Sequence, residues 1–177
     1  GVAFGNLLQG VPFQFDEFLV PTYTGSFWAL LNPFALLAGV VSSAMITLQG
    51  ATYLAHRTEG VVQARTVRAG MGAALVMVTG FIAAGIWLQA IDGYRIGSAV
   101  DPSALPNPLA KTVVREAGAW MANYAAVPAL WLLPALGVLG ALAAAVLMRA
   151  GRTLSAFVAS SLAIVGIIGT AGASMFP

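Results

Sequence analysis

No cysteine occurs in this chain, which excludes disulfides, thiolate catalysis and iron–sulfur clusters. Charge is nearly as scarce: 8% of the 177 residues are Asp, Glu, Lys or Arg, against about 25% in an average soluble domain. One histidine is present, so a metal centre built on converging imidazoles has little to draw on. The net charge of +2 is small and scattered, and nothing supplies the basic patch of a nucleic-acid-binding module, so no nucleic-acid partner is expected. No basic segment followed by an apolar core and a small-residue cleavage site is read at the start. Gly1, without an initiator methionine, and Pro177, directly after an apolar run, read as the ends of a piece of a longer membrane protein.

What the chain does have is apolar length. Hydrophobic residues make up 59% of it, and the mean hydropathy is +0.88. A soluble domain of this size cannot hide that much apolar surface. The residues fall in uninterrupted blocks, the pattern of membrane spans and not of amphipathic helices. The charges bound four charge-free stretches, each long enough for a crossing, which takes about 20 helical residues. The spans are placed at about 32–55, 69–91, 127–148 and 154–176. The expected fold is all-α and integral to the membrane: residues 1–29 form an outer-face connecting segment, and residues 30–177 a bundle of four transmembrane helices.

Several boundaries follow from local signals. Asn32-Pro33 precedes the first span, and proline suits a first helical turn. Span two stops at Asp92-Gly93. The run Ala117–Met148 exceeds one crossing and holds Pro128 and Pro134, so its first part is expected as an interfacial or extramembrane helix. Asp101-Pro102, Pro106 and Pro108 predict turns in the long loop. Arg57, Arg65, Arg68, Arg149 and Arg152 lie on one side, and Arg95, Lys111 and Arg115 on the other. The basic bias predicts that the His56–Arg68 and Arg149–Arg152 loops are cytoplasmic.

The residues that could carry chemistry are few. His56 sits at a span end without an evident second ligand and reads as a boundary residue. The methionines are dispersed through apolar runs, where packing is their ordinary role. No ionisable residue lies deep in a span, which removes the usual mark of a proton or ion path. Ser42, Ser43, Thr47, Gln49, Thr79, Gln89, Ser160, Ser161 and Thr170 read as interhelical hydrogen bonders, with Gly166, Gly169 and Gly172 allowing close approach. The most informative polar cluster is Asp92, Arg95, Lys111, Arg115 and Glu116, followed by Trp120. Arg115 and Glu116 are expected as neighbours on a helix, each facing a different segment or another subunit. Asp92, Arg95, Arg115, Glu116 and Trp120 are thus candidate outer-face structural or subunit contacts. Trp28, Trp87, Trp120 and Trp131 predict an interfacial aromatic belt.

Six motifs in one collinear order carry a resemblance. They are Gly25-Ser26-Phe27-Trp28-Ala29-Leu30-Leu31-Asn32-Pro33-Phe34 with Leu36-Leu37-Ala38-Gly39-Val40-Val41; Gln49-Gly50-Ala51-Thr52-Tyr53-Leu54 with Arg57-Thr58; Ile91-Asp92-Gly93-Tyr94; Asn107-Pro108-Leu109 with Lys111-Thr112-Val113 and Arg115-Glu116-Ala117-Gly118-Ala119-Trp120; Pro134-Ala135-Leu136-Gly137-Val138; and Ala171-Gly172 with Met175-Phe176-Pro177. From about Gly5 onward the chain resembles subunit II of cytochrome bd-type quinol oxidases. The resemblance implies a subunit of about nine spans in two four-helix bundles, of which this chain is the second. It implies a partner, subunit I, that holds haems b and d and oxidises quinol. The complex reduces dioxygen to water and contributes to a proton gradient in the bacterial inner membrane. Subunit II has a structural, non-haem role, so no catalytic or metal-binding residue is expected here. The family's proton-delivery acids lie in its other half, and some members hold a structural quinone. Membrane lipid is a further expected partner. The rival reading is half of a secondary transporter, against which stand prolines near span ends and an uncharged midplane. A scaffold without a catalytic partner is the third.

Overall fold

The computed structural model describes residues 1–18, 20–98, 103 and 112–175. Most of the turns expected in the long loop, with Lys111, Phe176 and Pro177, lie outside the described residues. The architecture is two antiparallel helical hairpins packed into a four-helix bundle, with small elements gathered at one end.

The first hairpin joins α2, Pro33–Arg57, to α3, Gly60–Leu88. Asn32 caps α2 by accepting a hydrogen bond from the Ala35 amide at 2.8 Å, and Pro33 takes the first helical position. His56 and Arg57 occupy the last turn, where the guanidinium charge of Arg57 offsets the helix dipole. Helix α3 begins nine residues before the expected boundary at Ala69 and includes Arg65 and Arg68. The charges mark the limit of the apolar run but not of the helix. At 29 residues α3 is about 43 Å long, more than the hydrocarbon core requires.

The second hairpin joins α5, Leu132–Arg149, to α6, Thr153–Met175. Its three-residue link is closed by Gly151 at φ +74°, with the Gly151 amide donating to the Met148 carbonyl at 3.1 Å and the Arg152 amide to Leu147 at 2.9 Å. That paired arrangement is a Schellman cap, which needs a left-handed residue after the helix. Each of the four helices is long and apolar enough to cross a membrane, taking α5 with the 3-10 turn Pro128–Trp131 that leads into it.

Around the bundle α2 lies beside α3 and α6, and α5 beside α6 and α3. The core is built largely of alanine (Ala44, Ala55, Ala73, Ala74, Ala141, Ala144, Ala156, Ala159 and Ala163) with Leu48, Met77 and Met148 filling the larger gaps. Small side chains let the helix backbones approach, the usual route to cohesion where lipid removes the hydrophobic drive between helices. The seam between α5 and α6 is tightest. A Cβ on Gly166 would collide with the backbone nitrogen of Gly137, and one on Gly140 would stand 2.9 Å from the nitrogen of Ala163. Gly172, by contrast, faces open space.

The small elements collect at the bundle end opposite the two tight links. Helix α1, Val2–Gln9, runs antiparallel along the start of α2. Asn6 joins them: its amide donates to the Leu30 carbonyl at 2.7 Å, and its Oδ1 accepts from Asn32 at 2.9 Å. A short hairpin, β1 (Phe13–Phe15) with β2 (Pro21–Tyr23), follows, its turn held by Asp16 Oδ1 accepting from the amides of Phe18 and Val20. A second hairpin pairs β3, Asp92–Ile96, with β4, Val113–Ala117. After it come a 3-10 turn at Ala119–Met121 and the one-turn helix α4, Ala122–Ala126. The expected interfacial helix is therefore reduced to these two pieces, because Ala117 closes a strand and Pro128 interrupts the helical run.

Candidate functional site

The β3–β4 hairpin holds four of the five sequence-predicted site residues. Arg115 and Glu116 lie on a strand, not on a helix as expected; strand alternation turns them to opposite faces. On one face Arg115 Nε stands 3.5 Å from Asp92 Oδ2, and its guanidinium lies 6.0 Å from the centre of the Tyr94 ring. On the other, Arg95 Nε stands 3.9 Å from Glu116 Oε2. Both ion pairs join diagonal positions across the ladder, within reach of long side chains. All four side chains are about half exposed, so solvent screens them.

Trp120 is not part of an exposed aromatic belt. It is 7% exposed, and its indole N–H donates to the Leu8 carbonyl at 3.1 Å. It packs with Leu8 and Phe34, against Ala84, Leu88, Ile91 and Met175, and meets Tyr94 edge to face at 6.1 Å. Gly93 is where β3 lies against this ring: a Cβ there would stand 2.9 Å from both the indole and the Trp120 amide. Trp120 thus pins α1 and the hairpin to the ends of α3 and α6. Trp28, Trp87 and Trp131 remain exposed.

A second polar group lies inside the bundle between α2 and α6. The Ser160 hydroxyl donates to Gln49 Oε1 at 2.6 Å and stands 2.9 Å from the Thr52 hydroxyl; the Gln49 amide donates to Ser161 at 3.0 Å. Thr52 and Ser160 are fully enclosed. Two turns nearer the tight links, His56 Nδ1 lies 3.1 Å from the Thr153 hydroxyl, exposed at the bundle end. Thr52 escaped the sequence reading, although its spacing of three from Gln49 puts both on one helical face. The bond between Asn6 and Asn32 and that of Tyr124 escaped it too, since these partners are distant in sequence: Tyr124 donates to the Thr170 carbonyl at 2.9 Å.

Towards the hairpin end the two helical pairs part around a cavity of about 540 Å³. Phe34, Val41, Met45, Phe81, Leu88, Trp131, Val138 and Ile167 form much of its wall, with Phe4 and Leu8 of α1 and the polar residues Ser42, Gln89, Tyr124, Thr170 and Ser174. The Tyr124 hydroxyl accepts from Ser174 at 3.3 Å, so the cavity's polar groups are partly spoken for. Such walls suit a long hydrocarbon chain. Among the described residues no three of His, Cys, Asp or Glu converge as a metal-binding group. His56, bonded to Thr153 at the bundle end, does not fit the axial ligation of a buried haem.

Comparison with known proteins agrees with this arrangement. Residues 1–177 match the family described as cytochrome bd terminal oxidase subunit II. The cytochrome bd-I ubiquinol oxidase subunit 2 of Escherichia coli K12 is 54% identical over 178 aligned positions, covering 100% of this chain and 47% of that protein. A probable cytochrome oxidase subunit 2 of Haemophilus influenzae is 46% identical over 177, covering 100% of this chain and 47% of its own. The chain thus spans about half the length of these curated relatives. With a match along its whole length and four membrane-spanning helices, the chain belongs to the cytochrome bd terminal oxidase subunit II family.

Proposed function

We propose that this chain is one bundle of a non-haem structural subunit in a quinol:oxygen oxidoreductase of the bacterial inner membrane. The observation that carries the reading is the family match over the whole chain. The bundle's chemistry supports it. Charged side chains stand at the two ends of the helices, and the enclosed polar groups bond one another, which suits support of a partner's reaction. The haems b and d belong in this reading to the partner, subunit I, where quinol is oxidised and oxygen reduced to water with a contribution to the proton gradient. The catalytic centres lie there.

The contribution of this chain is then to bury apolar helix faces against that partner and against lipid. Leu36, Ile46, Leu75, Ile82, Leu139 and Val165 are among the large exposed side chains available for it. Asp92, Arg95, Arg115 and Glu116 serve as hairpin and subunit contacts at the outer face, with Trp120 as the anchor beneath them. The bundle end that carries Arg57, Arg65, Arg68, Arg149 and Arg152, with the two tight links between the helices, faces the cytoplasm, since five arginines collect there. The apolar cavity is the place proposed for the tail of a structural quinone or lipid, with Ser42 and Gln89 as polar neighbours.

Deleting the full-length subunit from cells tests this reading through reduced-minus-oxidised spectra of the membranes. The haem d band and quinol-driven oxygen uptake should both disappear. A normal spectrum with normal uptake in its absence would overturn the assignment.

A further inference from the structure

Arginine is partnered at one end of the bundle and not at the other. In the β3–β4 hairpin Arg95 and Arg115 each meet a carboxylate. The end with the two tight links carries Arg57, Arg65, Arg68, Arg149 and Arg152 against one carboxylate, Glu59. Among the described residues no ion pair forms there. We infer that Arg57 and Arg152 form a binding site for the phosphate headgroup of an anionic phospholipid, on the seam between α2 and α6.

Three contacts, each about one turn from the next, build that seam. The Gln49 amide meets the Ser161 hydroxyl at 3.0 Å, the Tyr53 and Phe157 rings stand 6.1 Å apart, and His56 Nδ1 lies 3.1 Å from the Thr153 hydroxyl. The last of these closes the end of α2 on the start of α6. Arg57 and Arg152 are the chain neighbours of its two members, so both cations belong to one corner of the bundle. Arg57 is also positioned: its guanidinium lies over the Tyr53 ring, 5.9 Å from the centre and one turn back on the same helical face. An arginine held by a ring keeps its fork of N–H groups for phosphate oxygens. Neither arginine side chain has an acceptor among the described residues.

The kind of occupant follows from what lies beside the cations. Leu54, one turn before Arg57 on α2, is exposed, as are Leu154 and Val158 in the first two turns of α6. A ligand that answers the two charges and also covers these side chains needs an anionic head joined to apolar tails. A free phosphate or an acidic peptide offers only the first. Basic pockets between membrane helices are recurrent headgroup sites. The inference rests on the membrane-spanning helices and not on the subunit's part in oxygen reduction.

The full-length subunit in its purified complex, held in a neutral detergent, tests the site by native mass spectrometry during titration with phosphatidylglycerol or phosphatidylcholine. The wild-type complex should retain phosphatidylglycerol several-fold more tightly. Arg57→Gln with Arg152→Gln should remove most of that preference. Each single variant should remove part of it, so the test stands even where the double variant fails to assemble. Arg65→Gln with Arg68→Gln takes the same charge from α3 and should leave the preference nearly unchanged. Phosphatidylglycerol should raise the melting temperature of the complex, and inorganic phosphate alone should not. Equal retention of the two lipids, an equal loss from the α3 pair, or equal stabilisation by inorganic phosphate would each overturn the inference. So would release of a protein partner from the Arg57→Gln, Arg152→Gln complex with its lipid preference intact, which would make this corner a subunit contact. Oxygen uptake enters none of these readouts, so failure here leaves the family function untouched.

Discussion

The two ends of this bundle are held by different means. Near the tight links the four helices close on a core of alanines, and between α2 and α6 four polar side chains clasp one another. Towards the hairpins the helical pairs separate around the cavity, and cohesion passes to a cover of larger groups: α1, the β3–β4 hairpin and Trp120. Small residues hold helices by proximity, which leaves no room. Aromatic residues span a gap, which leaves room beneath them. The bundle is thus close-packed at one end and keeps an apolar cavity at the other.

The sharpest way to break the contrast is at Trp120. Truncation to alanine removes a buried ring and should cost about 3–5 kcal/mol. Phenylalanine keeps most of the packing but leaves the Leu8 carbonyl without its donor, for about 1–3 kcal/mol. Trp28, 77% exposed, is the control: its alanine variant should stay within about 0.5 kcal/mol. Thermal melting of the detergent-solubilised full-length complex reads all three. A belt residue would behave like Trp28, so equal effects at the two positions would return Trp120 to the surface role that the sequence suggested.

Close approach comes next. Gly166→Ala drives a methyl group into the Gly137 backbone and should cost about 1–3 kcal/mol. Gly172→Ala on the same helix meets nothing within 4 Å and should be close to neutral. The same melts decide the matter, and a neutral Gly166→Ala would mean that the helices can slide apart at no cost.

The helices, their number and their order could be read from the sequence, because a charge-free run of span length is costly to keep anywhere but in lipid. The assignment of glycines to close packing succeeded at Gly166 and failed at Gly172, since the six-residue step between them turns the side chain to another face. The β3–β4 hairpin was not read. Val113-Val114 is β-branched and Tyr94-Arg95-Ile96 alternates, but the partner strand lies across a long loop, and register is a non-local property. The burial of Trp120 was hidden for the same reason: its cover, Leu8, stands 112 residues away. Sequence periodicity reports which face of an element is apolar, not what arrives to cover it.

The internal clasp should give a smaller effect than either of these. Interhelical hydrogen bonds in membranes contribute about 0.6 kcal/mol on average and reach about 1.7. Ser160→Ala leaves Gln49 Oε1 without the donor at 2.6 Å and removes a partner of Thr52, so the upper part of that range is expected. Gln49→Ala in the same background should add less than it does alone, because the two share one network. Strict additivity in that double-mutant cycle, read from melting of the same complex, would show that the side chains satisfy themselves separately.

The hairpin ion pairs should matter least, and their weakness is what makes them informative. With side chains about half exposed, each pair should contribute no more than about 0.2–1 kcal/mol, and less in high salt, where the screening length falls to about 3 Å at 1 M. Arg115→Glu sets a third carboxylate beside Asp92 and Glu116 and also removes the cation from the Tyr94 ring. Exchange of the pair, Asp92→Arg with Arg115→Asp, should recover the charge contact but not the stacking, and so restore only part of the loss. Both effects should shrink as salt rises, whereas the Trp120 effects should not. If 1 M salt instead loosens the hairpin in the wild-type complex as much as Trp120→Phe does, then charge and not the buried ring holds this end, and the contrast between the two ends rests on electrostatics.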